Sequence, residues 1–137
     1  MMRQMASLIF IALLSLGSFS HAAGKQAPFL ITGKLPHLTG LVKLFWDDED
    51  LKLSPKQKER LLKVRQSTLS QIGTIKKLLK PLENSIAKKV MSGTTPQSVT
   101  SLLQKVSELK IQASVVHFQC IYDTKKILTK EQLDLLL

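Results

Sequence analysis

The chain has 137 residues, a formal net charge of +10 and few aromatic residues. This length suits one domain with a modest core, and the abundance of Leu, Ile and Val favours packed helices over a sheet. The excess of Lys and Arg favours anionic partners, such as nucleic acid, an anionic membrane or acidic protein segments. Cys120 is the only cysteine, so no internal disulfide can form. No glycine-rich phosphate loop and no nucleophile arrangement occurs, so we expect no enzyme.

The first 22 residues have the pattern of a cleavable signal peptide. Arg3 supplies a positive charge, residues 8–16 form an uncharged apolar run, and Ser20 and Ala22 are small residues where a signal peptidase cuts. The apolar run is too short to span a bilayer, which takes about 20 residues. We therefore predict a signal peptide over 1–22, a soluble periplasmic protein, no stable membrane insertion and no nucleic-acid partner.

A lead and a short helix are predicted next. Residues 23–35 show no sustained periodicity, which indicates a flexible segment. Pro36 is typical of a first helical turn, and we expect the helix to run to about Asp50. The acidic run 47–50 opposes the helix macrodipole and should mark the fraying end. The apolar face of this helix would hold Leu38, Leu41, Val42 and Phe45.

A strong helix start follows at Leu53-Ser54-Pro55-Lys56-Gln57. Ser54 and Gln57 can form a capping box, and proline is favoured as the first helical residue. Apolar residues then recur at helical spacing as far as Val90, and Gly93 is expected to end the helix. Pro81 interrupts this run, so we predict a kink or break that leaves segments over 55–79 and 82–91.

A long helix is predicted from Thr95-Pro96, a hydroxyl N-cap before a first-turn proline, to about Ile127. One seam of it is apolar at steps of three and four, with one gap at Asp123 and Thr124. Packing this seam on the preceding helix predicts an all-α antiparallel helical hairpin with short flanking helices. Further apolar residues lie off the seam, and covering them predicts a homodimer. The seam comprises Val99, Leu102, Val106, Leu109, Ala113, Val116, Cys120 and Ile127, and the residues off it are Ile111, Val115, Phe118, Ile121 and Tyr122.

The long helix runs into a second start signal, Leu128-Thr129-Lys130-Glu131-Gln132. Thr129 and Gln132 can form another capping box, with Leu128 and Leu133 as a hydrophobic staple. The two start signals resemble the paired LTxxQ motifs of the Spy/CpxP family of periplasmic proteins. The second signal matches fully, and the first has Ser in place of Thr, which keeps the capping chemistry. The order of the helices also agrees, so the resemblance covers residues 36–137.

The resemblance implies both a shape and a function. Spy/CpxP-like proteins form cradle-shaped antiparallel dimers that bind unfolded or partly folded clients in the periplasm without ATP. Spy-like members act as chaperones, CpxP-like members also inhibit an envelope-stress sensor kinase, and ZraP-like and CnrX-like relatives bind metal ions. We therefore expect residues 36–137 to form a helical ATP-independent chaperone or envelope-stress modulator, with a sensor kinase as a further candidate partner. Leu137 follows the second motif closely, so we do not expect functions that reside in the longer tail of many members.

Cationic residues dominate the helix after the first motif, where only Glu59 and Glu83 oppose them. Such a nearly one-signed surface fits either a solvated face or a surface that attracts clients before weak apolar contact. The two interpretations carry about equal weight, and Leu78 and Met91 are candidate apolar contacts for clients. Four cations fall on a stripe roughly opposite the apolar one: Lys56, Arg60, Lys63 and Lys77.

A metal site is the alternative. His117 and Cys120 lie three residues apart on the long helix, so both could face one ion, and a dimer could supply two such pairs. Zinc and copper accept this ligand set. Against a metal, Cys120 lies on the apolar seam, where a free cysteine commonly packs as a small hydrophobe, and His37 is far away in sequence. We therefore expect no cofactor, with a Zn- or Cu-binding sensor or buffer as the alternative function.

Overall fold

The computed structural model describes residues 27–137. The predicted signal peptide, 1–22, and residues 23–26 of the predicted lead lie outside the described residues. The described range contains no strand, which confirms the all-α class. Its elements are α1 (Leu38–Leu44), α2 (Pro55–Met91), a 3₁₀ turn (Pro96–Val99), α3 (Thr100–Ile127) and α4 (Lys130–Leu136). None of these helices is both long and apolar enough to cross a membrane.

The first helix is shorter than the sequence predicts. It covers only Leu38–Leu44, so both the start at Pro36 and the continuation to Asp50 are wrong. The carboxylate of Asp48 accepts hydrogen bonds from the backbone amides of Asp50, at 2.9 Å, and Leu51, at 3.2 Å. This Asp side chain offers the backbone a turn in place of further helix, and acidic residues also oppose the dipole at a helix C-terminus.

The second helix continues through its proline. α2 is one helix of 37 residues from Pro55 to Met91, so the predicted division into 55–79 and 82–91 is wrong. Pro81 lacks the amide that would donate to the carbonyl of Lys77. Pro81 and Lys77 are both exposed, on the side of α2 away from its core contacts. Water can therefore satisfy the freed carbonyl, and the proline ring meets no packed neighbour.

Gly93 ends α2 as predicted, through a left-handed backbone conformation with φ of 85°. The amide of Gly93 donates to the carbonyl of Val90, and that of Thr94 donates to the carbonyl of Lys89, each at 3.1 Å. This paired pattern is the Schellman motif, which satisfies the last carbonyls of a helix. The residue at this position needs positive φ, which glycine adopts at no steric cost.

The long helix begins later than predicted. Thr95 precedes a 3₁₀ turn, Pro96–Val99, and its side chain makes no capping hydrogen bond, so α3 begins only at Thr100. The amide and the hydroxyl of Ser98 both donate to the carbonyl of Thr95, at 3.1 and 2.7 Å. Two donors on one carbonyl three residues back tighten the first turn to 3₁₀ geometry.

The predicted seam of α3 is the side that packs on α2. The seam residues are either half-buried or buried, and the buried ones are Val99, Val106, Ala113, Cys120 and Ile127. The predicted gap is filled as well, because Thr124 is 0% exposed and its hydroxyl donates to the carbonyl of Cys120 at 2.7 Å. The seam therefore continues through a threonine whose polar group is satisfied within its own helix.

Two core clusters lie along the α2–α3 pair. The first joins Ile72, Ile75 and Leu79 of α2 to Val106 and Ala113 of α3. The second joins Val42 of α1 and Leu61 of α2 to Ile127 and Leu128 at the end of α3. Early residues of α2 thus meet late residues of α3, so the two helices run in opposite directions.

The described part of the predicted lead contacts the core. Phe29 packs against the first cluster, and Pro28 is buried. The amide of Leu30 donates to the hydroxyl of Ser114 at 2.9 Å. No periodicity in the sequence indicates these contacts, because they depend on which groups of α3 lie beside the chain.

Candidate functional site

Both predicted capping boxes form. The hydroxyl of Ser54 accepts from the amide of Gln57, and the Gln57 side chain accepts from the amide of Ser54. Thr129 and Gln132 repeat this arrangement at the start of α4. Leu53, Leu128 and Leu133, the apolar neighbours of the boxes, belong to or pack against the second core cluster.

The two boxes are joined to each other by their glutamines. The Gln57 amide nitrogen donates to the Gln132 oxygen at 2.7 Å, and the Gln132 nitrogen donates back to the Gln57 oxygen at 3.3 Å. Gln57 also donates to the carbonyl of Ile127 at 3.0 Å, and Gln132 to the carbonyl of Leu51 at 2.9 Å. Each amide oxygen thus accepts twice, and the junction ties the starts of α2 and α4 to the end of α3.

The predicted client-binding residues are all exposed on α2, but they are spread along it. Lys56 lies in its first turn and Met91 is its last residue, which puts them about 50 Å apart at the rise of an α-helix. Lys56, Arg60 and Lys77 form no ion pair with another described residue, whereas the Lys63 ammonium lies 2.7 Å from Glu59. The hydrogen bond from Lys63, together with its charge, lowers the pKa of the Glu59 carboxyl.

A stripe of exposed apolar side chains runs along α3, opposite its seam. The α3 stripe consists of Ile111, Val115, Phe118 and Tyr122, whose exposed fractions range from 41% to 58%. Their spacing of four, three and four residues is that of a coiled-coil contact. The ammonium of Lys126 lies 4.4 Å from the ring centroid of Tyr122. Ile121, named with them in the sequence, is half-buried on a neighbouring side.

His117 and Cys120, the predicted metal ligands, are both buried between α3 and the segments that cover it. The thiol of Cys120 lies 3.7 Å from the hydroxyl of Thr39. The ring of His117 lies between Phe29 and His37, with ring centroids at 4.9 and 4.6 Å. The contact between the two histidines is not predictable from their distant positions in the sequence, because it depends on the packing of α1 on α3.

His117 is only 4% exposed, and neither of its ring nitrogens has a hydrogen-bond partner among the described residues. Burial lowers the pKa of His117, and the charge of His37 adds to that effect. The carbonyl of Pro36 lies near enough to oppose the shift but completes no hydrogen bond. Within residues 27–137, no group of three or more His, Cys, Asp and Glu side chains is placed to hold a metal ion.

No family model, curated protein or solved structure matches this chain. The resemblance to the Spy/CpxP family therefore remains an inference from the motifs at 53–57 and 128–132. The hydrogen bonds between Gln57 and Gln132 give those two motifs a shared structural role in this chain.

Proposed function

We propose that this chain is an ATP-independent periplasmic chaperone or envelope-stress modulator that binds unfolded or partly folded proteins. The observation that carries the proposal is the outer surface of α2, where Lys56, Arg60 and Lys77 are exposed without an ion-pair partner among the described residues. Leu78 and Met91 add exposed apolar side chains to the same helix.

Such a surface suits weak and promiscuous binding. Unpaired cations attract acidic segments of a client over a distance of about 10 Å, which is the screening length at moderate salt. Scattered apolar side chains then give shallow contacts that hold a client without selecting one sequence. Release follows when the client buries its own apolar residues, because no deep pocket on this surface retains it.

The α3 stripe supports the second element of the proposal, a cradle-like homodimer of antiparallel hairpins. Four apolar side chains at coiled-coil spacing keep between 41% and 58% of their surface exposed. A second copy would bury them and leave the outer face of α2 open to clients. The CpxP-like resemblance extends the proposal to a sensor kinase as a partner, and the predicted signal peptide over 1–22 supplies the route of export.

A salt-dependent aggregation assay tests this proposal. The chain should suppress aggregation of an unfolding acidic client at low salt, less at high salt, and with chelator present throughout. A triple variant, Lys56→Gln, Arg60→Gln and Lys77→Gln, should lose most of this suppression. The matched control neutralises three exposed lysines away from this surface, Lys34, Lys105 and Lys125, and should retain it. Equal loss in both triple variants would reduce the effect to net charge and overturn the proposed surface.

The alternative function is a metal sensor or buffer that uses His117 and Cys120. The observation in its favour is that both ring nitrogens of His117 are buried without a hydrogen-bond partner. Two ligands are too few for a structural zinc site, so the alternative needs a dimer that brings two pairs together. Zn²⁺ should then raise the unfolding midpoint of the wild type but not of His117→Leu. Equal midpoints with Zn²⁺ and with chelator would remove this alternative.

A further inference from the structure

A groove of about 350 Å³ lies between α1 and α2, on a side of α2 that none of the predicted client-binding residues lines. This volume is within the range of small-molecule sites, about 300–1,000 Å³. Trp46, Leu61, Leu62 and Leu69 supply its apolar lining. We call it the α1–α2 groove.

Two leucines of the apolar lining are exposed to solvent within a concave surface. Leu62 and Leu69 lie seven residues apart on one side of α2, and 46% and 56% of their surface is exposed. Isolated exposed leucines are common on protein surfaces, but these two face a concavity beside the half-buried ring of Trp46. A concave apolar strip of this kind is shaped to cover an alkyl chain.

The charges of the groove are all positive. Lys43 and Arg65 line it, no carboxylate does, and neither cation forms an ion pair within residues 27–137. Arg65 is half-buried, and its Nη1 atom would lie 3.9 Å from a Cβ placed on Gly40 of α1. A half-buried cation without a counter-ion favours an anionic ligand, and the planar guanidinium matches the two oxygens of a carboxylate.

Arg65 also lines a neighbouring hollow of about 410 Å³, which adds Lys76 to the cations and again has no acidic lining residue. The guanidinium thus lies where two positively charged hollows adjoin, with the apolar strip on one side of it. The arrangement resolves into a cationic head site at Arg65 and an apolar tail site along Leu62 and Leu69.

We propose that the α1–α2 groove binds a medium-chain fatty acid, with its carboxylate on Arg65 and Lys43 and its alkyl chain along Leu62, Leu69 and Trp46. A peptide fits less well, because its backbone amides and carbonyls need hydrogen-bond partners in such a groove. The neutral polar side chains that line it are Thr39 and Gln66, and the hydroxyl of Thr39 is already paired with the thiol of Cys120. An alkyl chain has no such requirement. This site is independent of the client surface and of the dimer.

Trp46 makes the test direct, because it is the only tryptophan of the chain and it lines the groove. The full chain is titrated with laurate below its micelle concentration while Trp46 emission is followed. We expect a saturable change, affinity at least tenfold weaker for uncharged methyl laurate, and no response to acetate. Arg65→Gln should weaken laurate binding about tenfold or more, and Lys43→Gln should weaken it too, since each removes a charge-assisted contact.

Arg60→Gln is the matched control, because Arg60 is an exposed cation of the same helix that does not line the groove. Its laurate affinity should equal that of the wild type. Equal affinities for laurate and methyl laurate, or equal losses in the Arg60 and Arg65 variants, would overturn the proposal. Emission that changes with protein concentration but not with laurate would assign the groove to a second copy. A response to an unfolded client but not to laurate would assign it to a protein segment.

Discussion

The side-chain amides of Gln57 and Gln132 hydrogen-bond to each other in both directions, although 75 positions separate them in the sequence. Each glutamine also completes the capping box of its own helix. Each glutamine side chain therefore has two roles: it accepts a hydrogen bond from the N-cap amide of its own helix, and it connects that helix start to the other one. The two start signals form a single junction, which also holds the carbonyls of Leu51 and Ile127.

Removing one glutamine should destabilise the whole domain. In Gln132→Ala the Leu51 carbonyl loses its partner, and Gln57 loses one of its acceptors in a buried setting. Leaving buried polar groups unpaired costs about 2–4 kcal/mol in the free energy of unfolding for a network of this size. Urea unfolding measures this loss. Glu131→Ala, at the exposed neighbouring position, should change stability by less than about 0.5 kcal/mol.

A double-mutant cycle separates the junction from the two caps. If the glutamines act together, Gln57→Ala and Gln132→Ala combined should cost clearly less than the sum of the single variants. Additive losses would mean that each glutamine only caps its own helix, and the junction would then contribute no coupling.

Acidification should loosen the contact of α1 and the lead with α3. Burial, with the charge of His37, lowers the pKa of His117 below its ordinary value of 6.5. The unfolded chain therefore binds a proton more readily than the folded one, and stability falls as the pH falls below about 6.5. Above that pH both states are neutral at this residue and the effect vanishes.

Comparing the wild type with His117→Leu tests this pH dependence. Between pH 7 and pH 5 the free energy of unfolding should fall more steeply for the wild type than for His117→Leu, because leucine removes the titrating group. Urea unfolding at several pH values gives both slopes. Parallel slopes would show that protonation of His117 does not oppose folding. His37→Gln should remove part of the difference, since the charge of His37 adds to the shift.

Pro81 should be replaceable with a gain in stability. α2 stays helical through it, so Pro81→Ala would restore an amide that can donate to the carbonyl of Lys77. The unfolded chain gains freedom at the same time, which offsets part of the benefit. We expect a net gain of about 1–2 kcal/mol in the free energy of unfolding, from thermal or urea denaturation. Lys80→Ala, at an exposed neighbouring position, should change little, and a destabilised Pro81→Ala would show that the proline shapes α2.

The sequence correctly predicts those helix starts and ends that depend on residues a few positions apart. The capping boxes at Ser54 and Thr129 and the end of α2 at Gly93 form as expected, because each depends on groups a few positions apart. The incorrect or missed predictions concern features that depend on the packing of the whole fold. Pro81 is tolerated because its side of α2 faces water, and the contact of His117 with His37 needs the packing of α1, neither of which a local pattern contains.

A polar residue at a core position is also hard to predict from the sequence. The sequence pattern treats Thr124 as a gap in the seam, yet Thr124 is fully buried and its hydroxyl donates to the carbonyl of Cys120. The α1–α2 groove is likewise not evident from the sequence. Leu62 and Leu69 have the spacing of core residues, yet both are about half exposed and line the groove.

The α3 stripe predicts which substitution should weaken the proposed homodimer. Val115 lies in the middle of the stripe and is 58% exposed in one protomer, so Val115→Lys leaves the folded protomer intact but puts a charge into the proposed contact. Burying an unpaired ammonium is costly, so dimer affinity should fall at least tenfold in sedimentation equilibrium. Leu103→Lys is the matched control, because Leu103 is equally apolar, 50% exposed and on the same helix but outside the stripe. A wild type that stays monomeric at all concentrations would exclude the dimer, and equal weakening by both variants would place the contact elsewhere on α3.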